Sequence, residues 1–148
     1  MTQTLGTEIE TLLYETLTGD VALIALLGGD GMDPRIYPSW RAQERPRISV
    51  LQPGYVVIRF DEAAQPQCVG GAVDERRERY RLSLFSLPEA GELRGDVMMR
   101  FRELFHRKSF VTESYLVFDV VEITREERPT EDRLMEFMYL ISCGFLPR

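Results

Sequence analysis

Apolar and polar positions recur along this chain with two different periods, and the changes of period divide it into elements. Leu5, Ile9, Leu12, Leu13 and Leu17 follow helical spacing with Glu8, Glu10 and Glu15 between them, which predicts an amphipathic helix over 4–18. Thr18-Gly19-Asp20 ends it. Asp20 then stands as the cap of a short second helix over 21–27, which stops at Gly28-Gly29.

Further on, Tyr80, Leu82 and Leu84 alternate with Arg79, Arg81 and Ser83, the period of two that sets one strand face in a core and the other toward water or a partner. Ser86 and Glu89 with Pro88 between them resemble a capping box, so a helix is expected over 88–107, about 30 Å long. Leu93, Val97, Phe101, Leu104 and Phe105 form its apolar stripe, with Arg94, Asp96, Arg100 and Glu103 mainly opposite. Asp96 with Arg100 and Glu103 with Arg107 are acid-first pairs one turn apart, and Gly91 and Gly95 move the firm part toward Leu93.

The run over 55–60 is rich in β-branched residues and reads as a strand. The run over 115–123 is apolar at nearly every position, which predicts a strand covered on both faces inside the sheet. A charged turn over 125–133 and a last strand over 134–142 complete an antiparallel hairpin, and 144–148 is a short tail that exposes Phe145 and Leu146. Two long connections, 30–53 and 61–75, interrupt this order, the first with a short strand around 47–51. The expected fold is α+β: an antiparallel or mixed β-sheet of about four strands packed against one long helix and an N-terminal helical pair.

Size and charge narrow the function. The chain has 148 residues, enough for a single domain that needs neither disulfides nor a metal to fold. The start, 1–10, is polar and acidic, unlike a signal peptide, and the reading is an intracellular site of synthesis. Cys68 and Cys143 are then expected to be free thiols. A net charge of −6 argues against a protein whose main task is to grip nucleic-acid phosphates.

The chemical inventory is close to empty, and no enzymatic activity, cofactor or metal is expected. His106 is the only histidine, and the dipole at a helix C-terminus explains a cation there without catalysis. Gly28-Gly29-Asp30-Gly31 lacks the Lys and Ser/Thr of a phosphate loop, and Cys68, Cys143 and His106 lack zinc spacing. Glu122, Glu126 and Glu127 beside a turn read as a solvated face. What remains is a surface suited to contacts. Arg77, Arg79 and Arg81 project from one strand face, where two uses fit: cross-strand pairing with acids, or a partner surface. Tyr37 and Trp40, in a proline-spaced loop with Arg41 and Arg45, are residue types enriched at binding hot spots; folding back over the core is the other use open to them.

In layout the chain resembles the tail-completion or tail-terminator proteins of long-tailed, siphovirus-type bacteriophages and prophages. The resemblance lies in the N-terminal helix followed by Asp20-Val21-Ala22-Leu23-Ile24-Ala25-Leu26-Leu27-Gly28, in Arg35-Ile36-Tyr37-Pro38, and in Tyr80-Arg81-Leu82-Ser83-Leu84-Phe85-Ser86 before a long helix and two closing strands. The chain departs from that form in the insertion over 40–53 and the charged lead-in over 74–79. The resemblance implies a structural virion protein. It would form a ring, typically of six subunits, at the head-proximal end of the tail tube, end tail polymerisation and offer the head-tail joining surface. The implied partners are further copies of itself, the major tail tube protein and the head-tail connector, with DNA passing through unheld and no membrane. Assembly would take place in the host cytoplasm. A neck or head-completion adaptor and a small ligand-binding α+β domain are the alternatives.

Overall fold

The computed structural model describes residues 5–38, 46–63, 67–69, 73–130 and 132–148. Three helices and seven strands follow in the order α1 (Leu5–Thr18), α2 (Val21–Leu27), β1 (Ile36–Pro38), β2 (Gly54–Ala63), β3 (Gln67–Val69), β4 (Val73–Ser86), α3 (Gly91–Phe105), β5 (Lys108–Val111), β6 (Tyr115–Pro129) and β7 (Met135–Pro147). Six strands form one continuous path, β1-β2-β4-β7-β6-β5, and β3 pairs with β4 off that path. The sheet is mixed, because β1 runs parallel to β2 while the other pairs are antiparallel.

This corrects the expectation of about four strands on one long helix. The sheet is larger and curls into a half-barrel, strands outweigh helices, and the helices are short. The expected strand around 47–51 is absent, and the parallel strand β1 forms at Ile36–Pro38 instead. Pro38 cannot donate to a ladder, which suits the last residue of a strand at the sheet margin. Among the described residues, the connection expected over 61–75 is largely strand: β2 continues to Ala63, β3 spans Gln67–Val69 and β4 begins at Val73. The charged turn expected over 125–133 is likewise mostly β6, whose ladder runs to Pro129 opposite Met135. Its charges are tolerated because they stay exposed.

Helix α2 ends in a Schellman motif. Gly28 adopts φ 73°, its N–H donates to Ala25, and the Gly29 N–H donates to Ile24. Asp20 occupies the cap position of α2, but its carboxylate is not used as a cap. It accepts both arms of the Arg100 guanidinium at 2.8 and 3.0 Å, which ties α2 to α3. The expected Asp96–Arg100 pair is replaced by this fork and by an Arg100–Glu103 contact. The capping box is absent as well: α3 begins at Gly91, with Ala90 as its cap and no side-chain bond there, while Ser86 closes β4.

One hydrophobic core lies between the helices and one face of the sheet. Ile9, Leu13 and Leu17 of α1, Leu23 and Leu27 of α2, and Val97, Phe101 and Phe105 of α3 meet alternate strand residues, among them Val56, Ile58, Tyr80, Leu82, Leu84, Tyr139, Ile141 and Phe145. Each of the large apolar side chains contributes roughly 1.5–3 kcal/mol by leaving water. The strand buried along most of its length is β7, not β6. In β6 Leu116 on the outward side is 44 % exposed, and Ile123, at a register shift, is 42 % exposed.

Candidate assembly surface

The alternation of each strand assigns a second sheet face, on which no helix packs among the described residues, though Tyr55, Val57, Ser83, Glu136 and Met138 on it are buried. Every strand residue in the core cluster has neighbours in sequence that point the other way. Pairing registers then lay these neighbours out in rows across the sheet. Tyr55, Phe85, Glu136 and Arg128 form one row; Val57, Ser83 and Met138 the next; Arg59, Arg81 and Leu140 a third. Arg79 and Ser142 follow, then Arg77, Gly144 and Phe118, and last Leu146, Leu116 and Val111.

At one end the face is aromatic. Tyr55 stacks on Phe85 with ring centroids 5.0 Å apart, and Tyr37 meets Tyr55 edge-on at 6.2 Å. The Arg59 guanidinium stands 5.8 Å from the Phe85 ring centre. Beside them Glu136 is buried, and its carboxylate accepts hydrogen bonds from the Ser83 hydroxyl and the Arg128 Nε, each at 2.8 Å.

The middle of the face carries arginines on β2 and β4 beside buried Met138, Leu140 and Ser142 of β7, and Glu62 stands in register opposite Arg79. Arg59 and Arg81 sit directly opposite each other on β2 and β4, and Arg79 lies two residues further along β4. Arg77 follows on β4 and is engaged within the chain: Nε donates to Ser142, Nη1 to the Asp119 carboxylate at 3.0 Å, and Nη2 to the Asp119 carbonyl at 2.9 Å. The far end is apolar, with Val111 59 % and Leu116 44 % exposed beside the half-buried Phe118 and Leu146.

The residues expected from sequence to form a contact surface divide accordingly. Arg77, Arg79 and Arg81 share one face as expected, and for Arg77 the structure assigns the cross-strand acid pairing. Tyr37 is half-buried on β1, where its hydroxyl donates to Asp33; burial, with help from that contact, pushes its pKa up to about 12. Leu146 belongs to the apolar end of the face. Phe145 needs correction: it is 2 % exposed and packs in the core on β7, because the strand runs on to Pro147 where a tail was expected. Trp40, Arg41 and Arg45 lie outside the described residues.

Two residues were missed. Arg59 alternates with Val56 and Ile58 in the β-branched run, and that period alone places it on the arginine face. Arg35 is buried with φ 58°, and its side chain donates to the carbonyls of Gly54 at 2.9 Å and Arg47 at 2.7 Å. It clamps 46–53 to the start of β2. On the other side, a Cβ at Gly28 would stand 2.0 Å from the Leu51 carbonyl, so the same segment also rests against the end of α2.

His106 closes α3, and its Nδ1 accepts the Glu122 backbone N–H at 3.2 Å, which ties the helix end to β6. Cys143 is a free thiol buried in the core, and burial pushes its pKa up to about 12.

No known family pattern matches the chain, and no curated protein matches it. Solved structures do match in fold. A protein from the virion of a native gene transfer agent particle superposes with a TM-score of 0.71 over 99 % of this chain and 100 % of its own, at 12 % identity. A second solved structure, which bears no functional name, superposes with a TM-score of 0.53 over 97 % of this chain and 93 % of its own, at 11 % identity.

Proposed function

We propose that this chain is a structural protein of a phage-like virion. In this reading it forms a ring, six-membered by the sequence resemblance, at the head-proximal end of a tail tube. There it ends tube polymerisation and offers the head connector a joining surface. The observation that carries the virion role is the fold shared end to end with a gene transfer agent virion protein. The tail-terminator position rests on the sequence resemblance through Arg35-Ile36-Tyr37-Pro38 and the β4–α3 segment. A second sheet face with basic, aromatic and apolar zones supports contact with other chains, since Arg and aromatic side chains are enriched at interfaces. Its role is structural, with no catalytic step, cofactor or metal. Its partners are further copies of itself, the major tail tube protein and the head connector. DNA passes through the ring without specific binding, and no membrane takes part.

The test is deletion of the gene from the phage or prophage that carries it, with negative-stain electron microscopy of the particles. Tail tubes of uncontrolled length beside tailless filled heads are expected. Normal tails lying unattached beside heads would assign a neck adaptor instead, and intact infectious particles would overturn the reading.

A further inference from the structure

We infer that two loop tips beside the end of α2, which carry Met32, Val50 and Leu51, are one half of a head-to-tail contact between copies of this chain. The other half is the apolar corner of the sheet formed by Val111, Leu116 and Leu146. The inference rests on the ring reading above and names the surfaces that such a ring would join.

The tips are exposed yet held in place. Met32 is 98 % exposed, Val50 94 % and Leu51 84 %. Asp30 closes the first turn: its carboxylate accepts the backbone N–H of Met32 at 2.9 Å and of Asp33 at 2.8 Å, and its own N–H donates to the Asp33 carbonyl. In the second turn the Ser49 N–H donates to the Gln52 carbonyl, and the Ser49 hydroxyl accepts the Gln52 N–H at 3.2 Å, which leaves Val50 and Leu51 at the crest. Adjacent glycines bring the two turns together, since a Cβ at Gly28 would meet the Leu51 carbonyl and one at Gly29 the Asp33 carbonyl. Single exposed apolar side chains are ordinary, but three held side by side mark a contact surface. Their turns are already ordered, so a partner that covers them need not supply that ordering.

The seat lies at the open end of the sheet. Val111 on β5 stands in register with Leu116 on β6, and Leu116 with Leu146 on β7. Val111 and Leu116 are exposed, and β5 is the last strand of the path. Charges border both patches. Exposed Asp30 and Arg47 flank the tips. Exposed Glu113 and Arg148 flank the seat, where Arg148 Nη1 donates to the Thr112 carbonyl at 2.8 Å. Each border holds one acid and one base, so a neighbouring copy can set acid against base on both sides of the apolar contact.

Their placement suits a ring. The tips lead into β1 and β2 at the end of the sheet where Gly54 pairs with Ser86 and Ser86 with Met135. The seat lies at the other end of the strands and at the opposite edge, so the two patches occupy diagonal corners and cannot meet within one chain. Two different patches on one chain make a heterologous contact, which closes into a ring when the rotation between neighbours allows it. Strands inclined to the ring axis, as in a closed barrel, bring diagonal corners to one level. A lipid surface is the competing occupant of apolar loop tips. The net charge of −6 and the carboxylates of Asp30 and Asp33 beside Met32 favour a second copy.

The test introduces opposite charges into the two halves and reads assembly by sedimentation velocity and native mass spectrometry. Variant one carries Met32→Glu and Leu51→Glu; variant two carries Val111→Lys and Leu116→Lys. The unaltered chain is expected to assemble at high concentration. Each variant alone should stay monomeric or lose at least tenfold in apparent self-affinity. An equimolar mixture should recover assembly, because contacts in an alternating ring are then either unaltered or join glutamate to lysine. Circular dichroism of each variant confirms that it is folded, and Leu51→Ser with Val111→Thr provides a milder pair should the lysines unfold the sheet edge. Variants that assemble like the unaltered chain would overturn the contact and leave the ring reading standing. A mixture that fails to recover or an unaltered chain that remains monomeric would overturn it too. So would binding to phosphatidylcholine–phosphatidylglycerol vesicles that Met32→Glu and Leu51→Glu abolish, which would assign the tips to a lipid surface. The particle images decide the ring reading separately.

Discussion

Arg77 on β4 reaches across the whole width of β7 to grip Asp119 on β6, and Gly144 is what lets it pass. Gly144 stands in register between Arg77 and Phe118, and a Cβ there would come within 3.0 Å of the Phe118 ring and 3.2 Å of Arg77 Nη1. Asp119 lies at a register shift in β6 with φ 50°, a left-handed conformation that Asp and Asn tolerate better than β-branched residues. Three strands are thus pinned at a bulge by one guanidinium. Gly144→Val is expected to cost about 1–3 kcal/mol by overpacking, with part recovered by Phe118→Leu. Asp119→Asn removes only a pair whose carboxylate is 61 % exposed and should cost under about 1 kcal/mol. Asp119→Val adds backbone strain of about 1–3 kcal/mol. Urea denaturation midpoints of these variants check the order; equal costs for Asn and Val would show that the bulge conformation carries no strain.

Arg35 is the buried cation that holds 46–53 in place. Arg35→Ala leaves the carbonyls of Gly54 and Arg47 without their donor, at about 1–3 kcal/mol for each that remains buried. Arg35→Lys should recover little, since a single ammonium cannot reproduce a planar fork aimed at two carbonyls. Hydrogen exchange over 46–53 is the measurement. Faster exchange there, with the amides of α1 unchanged, is the expected outcome, and an unchanged rate would show that the Gly28 contact suffices.

The contrast between Arg35 and Arg79 shows what was legible in the sequence. Arg79 sits in an alternating run, so its face followed from the period of β4. Arg35 sits between a turn and a strand of three residues, where no period exists, and its burial depends on Gly54, nineteen positions away. Both N-terminal helices could be placed because their apolar stripes and the Gly28 stop are local signals. The strands β1, β3 and β5 have three, three and four residues, too few for a pattern, and owe their conformation to the strands beside them. For the same reason Phe145 looked like a tail residue: nothing nearby in sequence announces that Tyr115 to Phe118 pair alongside it. In the candidate surface the arginines of β4 were legible, whereas their registry with Arg59 required knowing which strand lies next to β4.

Glu136 gives a prediction about charge inside the sheet. It is 2 % exposed and depends on Ser83 and Arg128 for its hydrogen bonds. Arg128→Ala removes the compensating charge, and a cost of about 1–3 kcal/mol is expected, moderated because Arg128 itself is half exposed. Adding Glu136→Gln should return part of that cost, because the group left behind is then neutral. A double-mutant cycle by thermal denaturation measures the coupling. Strict additivity of the two changes would mean that solvent already screens the pair.

Glu122 links acid stability to the junction of α3 with the sheet. Its carboxylate accepts from Arg125 Nε at 2.6 Å, from Arg102 Nη1 at 3.0 Å and from the Tyr139 hydroxyl at 3.2 Å. Burial alone would raise its pKa, but the Arg125 guanidinium, the Tyr139 hydroxyl and the Arg102 charge outweigh it and hold the group below its ordinary value of 4.5. A carboxylate depressed in the folded chain stabilises it above the unfolded pKa, about 4.3. That contribution disappears as the pH falls through the lower, folded value. Thermal denaturation from pH 7 to pH 3 should therefore show the native chain losing stability more steeply below pH 4.5 than Glu122→Gln, with the gap between them widest near neutrality. The same network predicts that Tyr139→Phe leaves the acid transition in place, since both arginines remain. Parallel curves for the native chain and Glu122→Gln would place the acid-sensitive group elsewhere, with Glu8 next. Its carboxylate accepts the Ser114 backbone N–H at 2.7 Å, and its pKa is also lowered, first through a hydrogen bond with Thr112.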